Sequence, residues 1–227
     1  MSIQILRRRA SRLLALATVL TFAVVSAAVV RPAGALNRTG VTGSASAPRG
    51  DAWVAALKGK HRQLFDAPNS NGGIPLVHVM NYYDSYNKSY GTPDREVNGV
   101  LTFYGATTFH GLDDAMWQKY KLGEFLGEKD AAGVPFTANP WRSAPVILGM
   151  TLQQASIESL QKRGATFIIC NNALGIFASL VAKSRGLDAT AVYDDMKAHI
   201  LPGVTLVPAM VIAIEQAQAA GLTYHRQ

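Results

Sequence analysis

The run Gly164-Ala-Thr-Phe-Ile-Ile-Cys170-Asn-Asn-Ala-Leu174 decides how this chain is read. Ala165 to Ile169 is a short apolar stretch, and it runs into the only cysteine of the 227 residues. Such a stretch reads as a strand buried on both faces. Asn171 or Asn172 then serves as a cap, and the spacing predicts a helix from about residue 173. A cysteine at that junction meets backbone N–H groups and the positive end of a helix dipole, which favour its thiolate. The plainer reading is a buried, inert thiol, since cysteine is among the most buried residue types.

Downstream, the predicted helix runs to Arg185 and stops at Gly186. Asp188 caps a second helix ending near Ile200, and Leu201-Pro-Gly203 turns the chain. Val204–Val207 reads as a strand, Pro208 opens an apolar helix reaching Gly221, and Leu222–His225 is a last strand. Upstream, Lys60–Asp66 alternates as a first strand. Leu76, Val79, Met80 and Tyr83 recur at helical spacing, which predicts a helix over 75–90. Val97–Tyr104 reads as a second strand, and Asp113 or Asp114 caps a helix through Leu126. Residues 128–150, with Gly133, Pro135, Pro140 and Pro145, read as an insertion without a long helix. Thr151 with Gln154 fits a capping box for a helix ending at Arg163. Strands alternating with helices imply an α/β protein with a mostly parallel sheet covered on both faces.

Residues 1–35 read as an export signal. Arg7, Arg8, Arg9 and Arg12 precede an apolar run from Leu13 to Val30, and Ala33-Gly-Ala35 is a cleavage pattern. The paired arginines suggest the twin-arginine route, with general secretion as the alternative. Residues 36–52 are small and polar and read as a tether, leaving 53–227 for one domain in the periplasm or outside the cell. The first 35 residues hold five of the 22 basic residues and no acidic one, so 17 basic face 15 acidic in the rest. That balance carries no basic stripe for nucleic acid, and no second apolar run is long enough to span a bilayer. One cysteine allows no internal disulfide.

Candidate chemistry centres on Cys170 and His110. His110 lies in the loop after the second strand, on the same predicted sheet edge, where a Cys–His pair would lower the thiol pKa or bind a metal. A loop histidine that only hydrogen-bonds is the plainer reading. His78 falls off its helix's apolar stripe, and Tyr82, Tyr83, Tyr86 and Tyr90 crowd that helix as packing or an oligomer interface. No P-loop, no G-x-G-x-x-G after a strand, no G-x-S-x-G and no C-x-x-C-H or H-E-x-x-H spacing is present. Nucleotide hydrolysis, dinucleotide redox chemistry and serine-hydrolase chemistry therefore lose support.

The run Lys162–Leu174 resembles the G-(apolar)-C-x-N segment of the DsrE/DsrF-like sulfur-relay family. Leu201-Pro-Gly-Val-Thr-Leu-Val-Pro208 with Ala219–Tyr224 resembles that family's ending, Pro75-Leu76 with Asn81 its first helix, and Phe103-Tyr-Gly105 the end of its second strand. The resemblance implies a flavodoxin-like three-layer sandwich with a mostly parallel five-stranded sheet, often in trimers or hexamers. It places a persulfide on Cys170. The site expected around it takes His110 as catalytic companion, from its loop position, and substrate contacts at Asn171, Asn172, Tyr104 and Asn81. The resemblance also implies a sulfur donor or acceptor protein as partner and no resident cofactor. Two other classes compete: a haem- or transition-metal-binding protein using His110, His78 or Cys170, and a non-catalytic oligomeric scaffold.

Overall fold

Alternation along five strands sorts the core into two layers. The structure, a computed structural model, describes residues 52–227. The residues expected to be an export signal, and those expected to be a tether as far as residue 51, lie outside the described residues.

In chain order the elements are α1 (Ala52–Ala55), β1 (His61–Asp66), α2 (Ile74–Tyr90), β2 (Val97–Phe103), α3 (Asp114–Lys119), α4 (Leu122–Leu126), β3 (Val146–Ile147), β4 (Met150–Thr151), α5 (Ile157–Lys162), β5 (Thr166–Cys170), α6 (Asn171–Arg185), α7 (Ala189–Ala198), β6 (Val204–Val207), α8 (Met210–Ala219) and β7 (Thr223–Arg226). Five strands form one sheet in the order β6-β5-β2-β1-β7, and every pair is parallel. Three crossovers step the same way, from β1 to β2 to β5 to β6. The last returns to the far edge. Right-handed crossovers then put the helices of the first three on one face and α8 on the other. The result is an α/β three-layer arrangement of the flavodoxin-like kind.

The side chains follow that division. Phe65, Leu101, Phe103, Phe167 and Ile169 share a cluster with Leu76 and Val79 of α2 and with Leu174, Ala178 and Val181 of α6. Leu64, Val100, Ile168, Cys170 and Val207 form a second cluster with Met210, Ala213 and Ala217 of α8. Trp53 of α1 also packs on this second face, through a short helix that the composition of 36–52 did not suggest.

Local differences from the sequence expectations have local causes. The helix expected from Asp113 to Leu126 is broken: Asp113 caps α3, but Lys121 takes φ 45°, and α4 restarts at Leu122. The break brings Gly123 against the backbone of Phe136, where an added Cβ would lie 2.3 Å from its carbonyl oxygen. Thr151 caps nothing, because it pairs in β4, and Ser156 caps α5 through the Ser159 N–H instead. The insertion carries the β3–β4 hairpin and an isolated antiparallel bridge between Lys129 and Pro135. Arg163, at the end of α5, donates to Asp84 (2.6 Å), Asn87 (2.9 Å) and Asp94 (3.0 Å) and lies over the Tyr83 ring. It ties α2 and the approach to β2 to the strand that carries the cysteine.

Candidate functional site

In a parallel sheet the loops at the carboxyl ends of the strands build the ligand crevice. Here those ends are Asp66, Phe103, Cys170, Val207 and Arg226. Cys170 itself, not an asparagine, is the cap of α6: its sulfur accepts the Ala173 N–H at 3.4 Å. The Met210 N–H, at the start of α8, donates to the same sulfur at 3.3 Å. Donors from two separate helix starts therefore converge on one atom. Such donors stabilise negative charge. Cys170 is only 5% exposed, covered by the second-face cluster, as the plainer reading of a buried thiol expects.

Register identifies its neighbour. Phe103 pairs with Ile169, so the next residues, Tyr104 and Cys170, stand side by side. Tyr104 has extended backbone and belongs to the second-face cluster with Cys170. Adjacent strands lie about 4.8 Å apart, so the two residues are backbone neighbours in that cluster. On its other side Tyr104 meets the carboxylate of Asp66. Burial, together with that carboxylate, pushes the Tyr104 phenol well above its usual pKa and keeps it protonated as a donor.

Asp66 is 1% exposed. A buried carboxylate must be hydrogen-bonded, and three hydroxyls surround this one. Tyr224 of β7 donates to it, Tyr104 lies against it, and Thr102 donates at a longer 3.4 Å. The bond to Asp66 also raises the Tyr224 phenol. The row Tyr224–Asp66–Tyr104–Cys170 thus crosses four neighbouring strands on the second face. The sequence reading found Cys170 and Tyr104 and missed Asp66 and Tyr224. Their signal was parity: each falls on the second-face position of its strand near the carboxyl edge.

The remaining expected site residues lie elsewhere. His110 is wholly buried on the first face, with its ring 4.2 Å from Trp141 and 5.2 Å from Trp117. Its Nε2 pairs with Glu128 at 3.1 Å, and its Nδ1 has no protein partner. The expected Cys170–His110 pair is therefore not formed, because β5 turns its cysteine to the opposite face from the loop that holds the histidine. That loop, Gly105–Gly111, is stitched to the end of β1: Ala106 donates to the Pro68 carbonyl, and Thr107 to that of Ala67. Gly105 is required there, with φ +60° and the Pro68 oxygen 2.8 Å from where a Cβ would stand. Burial raises the Glu128 carboxyl, but His110 and the Ser70 hydroxyl outweigh it and hold it below the usual range. Glu128 lines a cavity of about 230 Å³ with Ser70, Phe136, Trp141 and Ile147.

Asn171 and Asn172 line a separate, open cleft between α6 and α7, where Tyr193 donates to Asn171 at 2.6 Å. Asn81 is exposed midway along α2, facing the flank of β7. His78 bonds Gln227 and stacks on His225. The three residues expected for haem or metal thus point to three different places. Among the described residues no group of three or more His, Cys, Asp or Glu side chains is arranged to hold a metal ion. None of their helices is long and apolar enough to cross a membrane.

No family model matches the chain, and no curated protein matches it. Fold and site together define the class: a flavodoxin-like α/β protein whose single thiol sits at the carboxyl edge of the sheet between two helix starts.

Proposed function

We propose that this protein is an exported carrier of sulfane sulfur, with Cys170 as the carrying atom. The observation that supports this is the pair of N–H groups, from Ala173 and Met210, aimed at one sulfur. The Cys170 thiolate attacks the terminal sulfur of a donor persulfide RS–SH. The donor S–S bond breaks, Cys170–S–SH forms and RS⁻ leaves. An acceptor thiolate then takes the terminal sulfur and returns the Cys170 thiolate, with no net oxidation. With one cysteine the domain needs an acceptor from another chain.

The test is mass spectrometry of the folded protein after incubation with polysulfide. The proposal expects a gain of one sulfur atom on Cys170, its removal by a small thiol, and none in Cys170→Ser. A Cys170 that stays unmodified when folded, yet reacts in denaturant, overturns it.

A second reading, the oligomeric scaffold, draws on exposed apolar side chains: Ile176, Leu180 and Leu187 on and after α6, and Val211 and Ile212 on α8. A trimer or hexamer would cover them. Sedimentation distinguishes it: a monomer at working concentration ends this reading.

A further inference from the structure

One stripe of α2 is only partly taken up by the core. His78, Tyr82, Tyr86 and Tyr90 recur every four residues, a stripe about 18 Å long on one side of the helix. Ring centroids along the tyrosines are 5.1 and 5.7 Å apart. The stripe faces the flank of β1 and β7 on the first face of the sheet. There His225 stacks on His78 at 5.2 Å, and His61 stacks on Tyr86 at 4.2 Å. Between helix and strands runs an open groove of about 430 Å³. Tyr90, at its end, is 75% exposed.

The chemistry of the lining is selective. Its polar groups are the amides of Gln63 and Asn81, the Ser85 hydroxyl, the tyrosine hydroxyls and two imidazoles. It contains no Asp, Glu, Lys or Arg and no aliphatic side chain. Burial, and then the neighbouring His78, hold the His225 imidazole below its usual pKa, so it stays uncharged at neutral pH. A phosphate, a nucleic acid or a charged peptide would find no counter-charge here. An aliphatic peptide would find no Leu, Ile, Val or Met to interdigitate with, whereas a second copy of the chain, for which aromatic lining is common, is told apart by whether sugars compete with it. A sugar ring fits both properties: its C–H face lies on an aromatic ring, and its ring hydroxyls meet amides and phenols.

We propose that the groove between α2 and β7 binds an uncharged oligosaccharide, with a sugar ring stacked on the exposed Tyr90 and hydroxyls hydrogen-bonded by Gln63, Asn81 and the phenols of Tyr82 and Tyr86. The length of the stripe suits a short oligomer over a single sugar. The groove lies on the face of the sheet opposite Cys170, so the two proposals stand or fall separately.

The experiment is calorimetric titration of the protein with maltohexaose, cellohexaose and chitohexaose, with dextran sulfate as a charged control. Saturable binding of at least one neutral oligomer is expected, with none of the control. Tyr90→Ala, at an exposed site, should weaken binding roughly three- to tenfold with an unchanged melting temperature, and Tyr86→Ala should weaken it further. Three outcomes overturn the inference: no neutral oligomer binds; binding is the same in the Tyr86→Ala/Tyr90→Ala double variant; or Tyr90→Ala dissociates a self-associated form that the sugars do not compete with, which assigns the stripe to a second copy.

Discussion

Replacing Asp66 by Ala is the sharpest perturbation of the row that leads to Cys170. The carboxylate accepts from Tyr224, lies against the Tyr104 hydroxyl, and has Thr102 at 3.4 Å. Hydrogen bonds to a charged group are each worth about 1.5–3 kcal/mol, so the two phenol bonds amount to about 3–6 kcal/mol gross. Two effects return roughly half of that. The cost of burying the charge disappears, and Tyr224, 40% exposed, can bond to water instead. The expected net loss is about 2–3 kcal/mol, since Tyr104 keeps a buried hydroxyl without its acceptor. For a domain of this size that lowers the melting temperature by roughly 4–12 °C. Urea denaturation followed by circular dichroism measures it, with an unchanged slope expected. Tyr224→Phe alone should cost about 1 kcal/mol. The double variant should lose less than the sum, since both remove the same bond. An Asp66→Ala protein within about 0.5 kcal/mol of wild type would refute the view of Asp66 as the anchor of this row.

Other consequences are checked in the same way. Gly105→Ala places a Cβ against the Pro68 carbonyl at a positive φ, so it should destabilise by about 1–3 kcal/mol in the same denaturation assay. Ile169→Ala, in the wholly buried centre of the sheet, should cost about 2–5 kcal/mol. Lys88, and then Arg163, hold the Asp84 carboxyl below its ordinary value of 3.8. Its stabilising contribution is therefore present above that pH and is lost as pH falls through the lower folded value. Arg163→Ala should flatten part of the acid end of the stability profile, and an unchanged profile would contradict this coupling.

Much of the fold was written in local pattern. The apolar run to Cys170, the helical spacing from Leu76 to Tyr83 and the Pro-Gly turn before Val204 each report their own surroundings. The parallel sheet followed from their order. The α3–α4 break did not, because Lys121 and Gly123 respond to Phe136, which is local in space but not in periodicity. The site was legible only in part. That a cysteine at the end of β5 meets helix amides follows from adjacency; that the start of α8 supplies the second amide depends on how β6 pairs. The loop position put His110 at the carboxyl edge of the sheet but left its face open, since a loop has no alternation to fix it. Asp66 passed unnoticed because an acidic residue closing an amphipathic strand reads as exposed until the phenol of β7 is laid beside it.

Proton NMR of the Ala173 and Met210 amides, in wild type and in Cys170→Ala, probes the converging donors more directly than any activity. Two amides bonded to one sulfur should both shift and both exchange faster with solvent when that sulfur is removed. Should either resonance and its exchange rate stay the same, the sulfur is not held by two helix starts, and the carrier proposal loses its footing.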